Sequence, residues 1–159
     1  MAYINVSTAG EFAEVQISTA TITAYNTTSD IVIPGLQNIT LNNGNGVFRW
    51  KQLDSTSEYA VAIPATNQVS MNIVLDNTAY FGDGSGDTTA VDKGLFKISN
   101  DKTLIYFRVY YQGHSTSDKF VYGTGYFTGL SPTVSPDQPV WVSPLTIEVV
   151  GDFGTGTVA

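Results

Sequence analysis

The clearest indication of the fold comes from residues 120–152, which read FVYGTGYFTGLSPTVSPDQPVWVSPLTIEVVGD. Two runs rich in aromatic and β-branched residues flank a connector of Ser, Pro and Asp. Such runs, bounded by turn-forming residues, are typical of β-strands. Pro144 lies inside the second run, so we expect that strand to have an open edge, a bulge or a break at this position.

Apolar and polar residues also alternate outside this segment. In residues 68–76, Val69, Met71 and Ile73 share one side, and a period of two indicates a half-buried strand. The run at 104–111 is apolar on both faces, so we expect both faces of this strand to be covered. One face should pack on the core, with Val109 buried. The other face should contact another layer of the fold or a second subunit. Further strands are predicted at 15–17, 31–33, 36–41, 47–53, 58–63, 119–127 and 140–150.

Residues 88–99, TTAVDKGLFKIS, form the one segment where the sequence predicts a helix. Val91, Leu95 and Ile98 are spaced i, i+4, i+7, which places them on one helical face. Asp87 or Thr88 is the expected N-cap. With the strands, this predicts a mainly β fold: a sandwich or barrel of two packed antiparallel sheets with one short flanking α-helix.

The composition indicates one domain spanning 1–159, large enough to bury a core. Charged residues make up only 13% of the chain, about half the usual share, which favours a surface that is covered by self-assembly. The net charge is −7 and the few cations are scattered, which excludes tight nucleic-acid binding. The chain has no cysteine, so disulfides and thiolate metal sites are excluded.

Targeting signals are also lacking in the sequence. The first residues have neither the positive region nor the apolar region of a signal peptide, and no apolar run reaches membrane-spanning length. We therefore expect synthesis in a cytoplasm and no membrane association.

The single histidine, His114, is the first candidate for chemistry. It shares a polar loop with Ser115, Ser117 and Asp118. A catalytic triad needs its members held in a defined geometry by a rigid scaffold, which four neighbours in one loop do not provide. We expect His114 to be a solvated loop residue, and we predict no catalytic residue and no enzymatic activity.

The loop at 77–87 is rich in Gly and Asp. Asp83, Ser85 and Asp87 stand at alternate positions, as in a calcium-binding loop. The positions that need Gly and Glu hold Thr88 and Gly94 instead. We therefore expect a flexible loop, no metal site and no cofactor.

The order of elements in the second half of the chain carries a family resemblance. A helix at 88–99 precedes a strand at 104–111, a loop at 113–118 and a strand with a Gly-aromatic pattern. A Ser/Pro/Asp connector at 131–137 and a final strand ending at Gly151 follow. Over residues 77–152 this arrangement resembles the tail tube (major tail) proteins of long-tailed bacteriophages.

The resemblance implies a structural protein of the virion tail, made in the host cytoplasm. Its members form hexameric rings that stack into a hollow tube, contact other tail proteins and let viral DNA pass without specific binding. An acidic lumen would repel phosphate. In this family long loops and termini contact neighbouring rings. The resemblance therefore implies contacts with neighbouring rings for the loops at 42–46, 54–58 and 77–87. It implies the same for two candidate inter-subunit arms, 1–10 and 153–159.

Two sets of candidate residues follow. The candidates for lining the lumen are the polar residues of two strands, Gln68, Ser70, Asn72, Asp76, Thr146 and Glu148. The inter-subunit candidates are aromatic, Tyr80, Phe81, Tyr106, Tyr110 and Trp141.

Two alternatives remain open from the sequence. One is another phage structural protein, such as a capsid decoration or tail terminator protein. The other is a carbohydrate-binding β-sandwich module, suggested by Trp50, Trp141 and the many tyrosines, which would be monomeric and expose one or two rings beside polar groups.

Overall fold

The computed structural model describes residue 4, residues 12–63 and residues 66–159. Within these ranges the chain forms eleven strands and two helices. In chain order they are β1 (Glu14–Ser18), β2 (Ile31–Val32), β3 (Leu36–Asn43), β4 (Gly46–Lys51), β5 (Glu58–Ile63), β6 (Asn67–Val74), α1 (Asn77–Phe81), α2 (Ala90–Asn100), β7 (Ile105–Tyr110), β8 (Lys119–Phe127), β9 (Thr133–Ser135), β10 (Gln138–Val149) and β11 (Gly154–Thr157).

Nine strands form the main antiparallel sheet in the order β2-β1-β7-β8-β10-β6-β3, with β11 paired to β8 and β9 paired to β10. Strand β10 pairs along one edge with β6, and in this pairing Pro144 lies opposite Asn72. On its other edge the pairing with β9 ends at Val142, and the pairing with β8 begins at Ile147. Pro144 therefore occupies a local open edge, where its missing N–H costs no ladder bond. This confirms the expectation for Pro144.

One apolar cluster fills the space enclosed by the sheet and α2. Ile73 and Val109 are each 1% exposed, which confirms their predicted burial. The mainly β class with antiparallel sheets and a flanking helix is confirmed as well. The innermost side chains come from β1, β6, β7, β10 and α2: Val15, Ile17, Val69, Met71, Ile73, Ile105, Phe107, Val109, Leu145, Ile147, Leu95 and Ile98.

The outer face of β7 is covered by the protein's own residues 19–30. The Arg108 guanidinium donates to the Ile22 carbonyl oxygen at 2.8 Å and lies 4.2 Å from the centre of the Phe120 ring. Tyr110 is fully buried, and its hydroxyl donates to the Gln16 side chain at 2.6 Å. At Tyr110 the cover expected over this strand is therefore intramolecular, whereas Tyr106 and Arg108 border an open groove. Tyr110 is one of the inter-subunit candidates, but its ring lies inside the protomer.

Helix α2 covers residues 90–100 and is kinked at Gly94, whose φ of 74° lies in the left-handed region. The N-cap is Thr89 rather than the expected Asp87 or Thr88. Its side chain accepts from the Asp92 N–H, and the Asp92 carboxylate accepts from the Thr89 N–H, which forms a capping box. The hydrogen bond that the Asp92 carboxylate accepts from the Thr89 backbone N–H, followed by the one from the Ser85 hydroxyl, lowers the pKa of Asp92 to about 2.

The segment expected to be a loop at 77–87 contains the short helix α1. The strand before it ends at Val74, and the Asp76 side chain caps α1 by accepting from the Thr78 and Ala79 N–H groups. The end of α1 packs directly on Gly94, where an added Cβ would collide with the backbone of Phe81 and Gly82. This close approach explains why the kink requires glycine.

Two further segments differ from their expected roles. The expected arm at 153–159 contains β11, which pairs with β8 from Gly154↔Tyr122 to Thr157↔Lys119. It is therefore a strand of the same chain's sheet. The connector at 131–137 contains β9. The other candidate arm, 1–10, lies outside the described residues except for Ile4.

The second sheet consists only of β4 and β5, paired from Gly46↔Ile63 to Lys51↔Glu58. We call residues 46–63 the hairpin arm. Along the chain the arm lies between β3 and β6, whose pairing with each other ends at Asn43↔Asn67. Every residue of β5 is exposed, as is every residue of β4 after Gly46. The second sheet thus projects from the body and does not contribute to the core.

Candidate functional site and interaction surfaces

The hairpin arm has one face made entirely of apolar and aromatic side chains. The cross-strand pairs Phe48↔Val61 and Trp50↔Tyr59 stand on this face. The Trp50 ring lies 5.9 Å from Phe48 and 5.7 Å from Tyr59, measured between ring centres. We call this surface the aromatic face, and its members are Phe48, Trp50, Tyr59, Val61 and Ile63. Their exposed fractions range from 38% to 55%, far above those of the core.

A second uncovered apolar surface lies between α1, α2 and β10. Tyr80 packs edge-on against Phe81 at 4.8 Å and lies 5.8 Å from Phe96. The exposed fractions are 66% for Phe81, 51% for Phe96 and 52% for Trp141. We call this surface the apolar groove. It has a volume of about 440 Å³ and is bordered by Asp76 and Asn77; its apolar walls are Leu75, Tyr80, Phe81, Phe96, Pro132 and Trp141.

The groove gathers three of the aromatic inter-subunit candidates, Tyr80, Phe81 and Trp141. Tyr106 lies elsewhere, in a more polar groove of about 640 Å³ beside Arg108 and Tyr122. Residues 54–58 include the turn of the hairpin arm, and residues 77–87 include α1 in a wall of the groove.

A polar face covers the outer side of β3, β6 and β10 between these two surfaces. Its cross-strand rows follow the pairing register, in which Ser70 lies between Thr40 and Thr146. The Gln68 amide donates to the Glu148 carboxylate at 2.6 Å, and the Asn72 amide donates to the Asn38 side-chain oxygen at 3.2 Å. We define the polar face as Asn38, Thr40, Asn42, Gln68, Ser70, Asn72, Thr146 and Glu148.

Five of the six lumen candidates are therefore neighbours on one surface. The exception is Asp76, which stands beyond the end of β6 at the edge of the groove and caps α1. The alternation of inward and outward side chains in β6 does not reach Asp76, because the strand ends at Val74.

His114 is an exposed residue of the loop between β7 and β8, and its side chain also contacts the body of the protein. Its Nδ1 lies 2.6 Å from a Glu14 carboxylate oxygen, and its ring stacks on Tyr25 with centres 3.5 Å apart. The Tyr25 hydroxyl donates to the other Glu14 oxygen at 3.5 Å, and burial, followed by Glu14, raises the Tyr25 pKa. Asp118 accepts from the Ser115 backbone N–H, so the neighbouring Ser, His and Asp are not arranged as a triad.

The acidic side chains of residues 83–92 are engaged within the chain. Asp83 accepts from the Ser85 backbone N–H and hydroxyl, and the Ser85 hydroxyl is also 2.9 Å from Asp92. Asp87 pairs with Lys97 at 3.0 Å. Over the part of the chain that the structure describes, no three His, Asp or Glu side chains form a group able to hold a metal ion.

The described residues contain no helix long and apolar enough to cross a membrane. The rings of the hairpin arm are flanked on their own face by Val61 and Ile63. Trp141 is half exposed and borders a groove whose walls are apolar and whose edge carries Asp76 and Asn77. Exposed apolar surfaces of this kind are typical of sites that contact proteins or ligands.

The fold of this chain is similar to that of chains in two solved particle structures. The chain is similar to one from the tail of an empty gene transfer agent particle with C6 symmetry. The TM-score is 0.57 at 14% identity, over 91% of this chain and 96% of that one. A chain from the virion of a native gene transfer agent particle gives a TM-score of 0.58 at 14% identity, over 90% and 95% of the two chains. No family model and no curated protein matches the sequence.

Proposed function

We propose that this protein is a non-enzymatic structural subunit of a phage-like tail, and that it forms six-membered rings which stack into a tube. The observation that carries the proposal is the fold shared, over nine-tenths or more of both chains, with a chain from a C6-symmetric tail. In this role its partners are further copies of itself and other tail proteins, and it resides in the virion.

The uncovered apolar surfaces support assembly. Contiguous apolar patches of this kind mark sites of protein contact. The aromatic face and the apolar groove differ in shape and belong to different elements, so a contact between them is heterologous. Heterologous contacts generate closed rings or open helical stacks, depending on the rotation between copies. A tube of stacked rings needs one contact that closes each ring and a second contact that joins successive rings.

The polar face is the surface best suited to line a channel for DNA. It carries amides, hydroxyls and one carboxylate, and no Lys or Arg. Two of its amides already donate to neighbours on the same face. With a net charge of −7 on each copy, the wall of such a channel repels phosphate and offers no cation for salt-sensitive contacts.

Electron microscopy of the purified protein tests the proposal. We expect rings of six copies that stack into tubes at raised concentration, or after nucleation by assembled tail tips. A protein that sediments as a strict monomer under both conditions refutes the proposed function. Rings or caps that never stack would favour a decoration or tail terminator protein instead.

The channel assignment has its own test, which is DNA retention by assembled tubes at physiological salt. We expect wild-type tubes not to retain duplex DNA, whereas Ser70→Lys with Asn72→Lys should retain it in a salt-sensitive manner. The matched control adds two lysines at exposed positions outside the polar face, Asn100→Lys with Thr116→Lys. Micromolar or tighter binding by wild-type tubes, or equal gains from both sites, would contradict a channel lined by the polar face.

A further inference from the structure

We propose that the more polar groove beside Tyr106 is a binding site for neutral saccharides. We call it the tyrosine groove. It has a volume of about 640 Å³, which lies in the range of small-molecule sites. The lining residues that carry the argument combine tyrosine rings with polar groups: Tyr106, Arg108, Tyr122, Thr124, Asp152 and Thr155. This inference goes beyond the proposed function, because the unassembled protein already has the groove.

The strand register brings the two tyrosines together. In the pairing of β7 with β8, Tyr106 lies opposite Thr124 and Arg108 lies opposite Tyr122. These four side chains therefore share the outer face of the sheet. Tyr106 and Tyr122 are diagonal neighbours across the two strands, a spacing at which aromatic side chains reach the same area. On the far side of β8, the pairing with β11 places Gly154 opposite Tyr122.

Tyr122 has the placement of a stacking platform. A Cβ added to Gly154 would lie 2.4 Å from the Tyr122 ring, so this ring leans across β11 against bare backbone. In the next row Phe120 leans on Gly156 in the same way, and the Arg108 guanidinium covers it at 4.2 Å. Phe120 is consequently only 7% exposed, whereas Tyr122 is 47% exposed. The open surface of Tyr122 can receive the apolar C–H side of a sugar ring.

Polar groups stand around this platform. A sugar carries hydroxyls at its rim, and those that leave water need new hydrogen-bond partners. The hydroxyls of Thr124 and Thr155 line the same groove and can both donate and accept. The Asp152 carboxylate, also in the lining, can accept from sugar hydroxyls. The groove thus offers an aromatic surface for the ring and polar partners for its edge.

The charges of the groove favour a neutral ligand. Arg108 is the one cation among the described residues of the lining, and it is already engaged. Its guanidinium donates to the Ile22 carbonyl oxygen at 2.8 Å and covers Phe120. Asp152 adds a negative charge to the groove, and the whole chain carries a net charge of −7. A sugar that bears a carboxylate, sulfate or phosphate is repelled by this field.

The tyrosine groove and the polar face lie on separate parts of the outer surface. Phe107 and Val109 of β7 share one core with Met71 and Ile73 of β6, and the outer faces of these strands point away from that core. Strands β8 and β10 separate β7 from β6 in the sheet. On the proposed function, a channel lined by the polar face therefore leaves the tyrosine groove outside the channel.

NMR titration of the unassembled protein tests the site. The neutral probes are maltotriose, mannotriose, galactotriose and chitotriose, and sialyllactose is the anionic probe. We expect at least one neutral probe to bind at millimolar concentration and to shift the amide signals of Thr124, Gly154 and Thr155. Sialyllactose should leave these signals unchanged. If none of the neutral probes binds, or if sialyllactose binds as tightly, the proposal is overturned.

Variants of two tyrosines in β8 locate the binding. Tyr122→Ala should weaken it about tenfold, as for the loss of one stacked ring, whereas Tyr122→Phe keeps the ring and should retain most of the affinity. The matched control is Tyr126→Ala, which removes a ring that is 40% exposed on the same strand but outside the groove. The sequence suggested Trp50 and Trp141 as sugar-binding rings, and neither lines this groove. Equal affinities of the two alanine variants, or loss of binding in Trp50→Phe or Trp141→Phe, would overturn the proposal.

Assembled tubes separate this inference from the proposed function. We expect tubes to bind the same probe as the unassembled protein. If tubes form and no longer bind it, the proposed function stands, and the groove is a contact between subunits that overturns its assignment as a saccharide site. If no tubes form but a neutral probe binds through Tyr122, the proposed function fails and the saccharide site stands.

Discussion

Two β-ribbons that lie next to each other along the chain differ in what covers them. In the first ribbon, β3 and β6 pair within the main sheet, and Val69, Met71 and Ile73 point into the core. In the second ribbon, β4 and β5 form a sheet of their own whose aromatic face remains exposed. Alternation therefore specifies which residues share a face. Whether that face becomes core or contact surface depends on the elements that the rest of the chain places against it.

The largest expected effect comes from comparing two isoleucines, one in β6 of the main sheet and one in β5 of the hairpin arm. Ile73→Ala removes a core side chain and should lower the free energy of unfolding by about 2–5 kcal/mol. Ile63→Ala, on the aromatic face, should change it by no more than about 0.5 kcal/mol in the unassembled protein. Urea unfolding of both variants measures the difference. Equal losses would show that the arm is part of the cooperative core.

The substitution Gly94→Ala tests the contrast between body and arm from the other side. The φ of 74° and the contact with the α1 backbone should cost about 1–3 kcal/mol of stability. Because Trp141 borders the groove and Trp50 lies on the arm, single-tryptophan proteins made with Trp50→Phe or Trp141→Phe report each region separately. We expect Gly94→Ala to change the emission of Trp141 and leave that of Trp50 unchanged. A shift in both would mean that the groove and the arm are coupled.

A smaller effect is expected from His114→Ala, which removes the ring stacked on Tyr25 and one of the two partners of the Glu14 carboxylate. Ring pairs of this kind contribute about 0.5–1.5 kcal/mol, so we expect a loss in this range in place of the negligible change expected of a solvated loop residue. The control is Thr116→Ala in the same loop. A wild-type midpoint of unfolding for His114→Ala would show that the contacts of His114 do not stabilise the fold.

The smallest effect concerns pH and the cap of α2. The pKa of Asp92 in the folded protein, about 2, lies below its ordinary value of 3.8. The stabilisation from its ionised form is therefore complete above about pH 4 and is lost as the pH falls towards 2. We expect the melting temperature of the wild type to fall more steeply over this window than that of Asp92→Asn. Parallel curves would show that the carboxylate does not contribute through its charge. The exposed hairpin arm provides the control, Asp54→Asn.

Much of the sheet could be predicted from the sequence because its strands are short, alternating and bounded by turn residues. The strand at 119–127 has the predicted bounds, and the last long strand was placed within two residues at each end. Strand β11 was missed because Gly154 and Gly156 give it little intrinsic strand preference. Helix α1 was missed because it is a single turn whose stability depends on the Asp76 cap and on packing against Gly94.

The candidate surfaces could be predicted only in part. Alternation correctly grouped Gln68, Ser70 and Asn72, and antiparallel pairing then brought Thr146 and Glu148 beside them. The burial of Tyr110 inside the protomer could not be predicted, because the sequence of a strand that is apolar on both faces does not show which chain covers its outer face. The exposure of the hairpin arm was missed for the same reason, since its sequence resembles that of a half-buried hairpin.

The exposed hairpin arm also affects how readily an unassembled copy is degraded. Proteases cut preferentially at exposed loop tips, and residues 52–57 form such a tip directly after Lys51 in the hairpin arm. Copies incorporated into an assembly through the arm would be shielded at these positions, whereas free copies would be degraded first. We therefore expect turnover in the cell to keep the pool of unassembled subunits small and to spare those already incorporated.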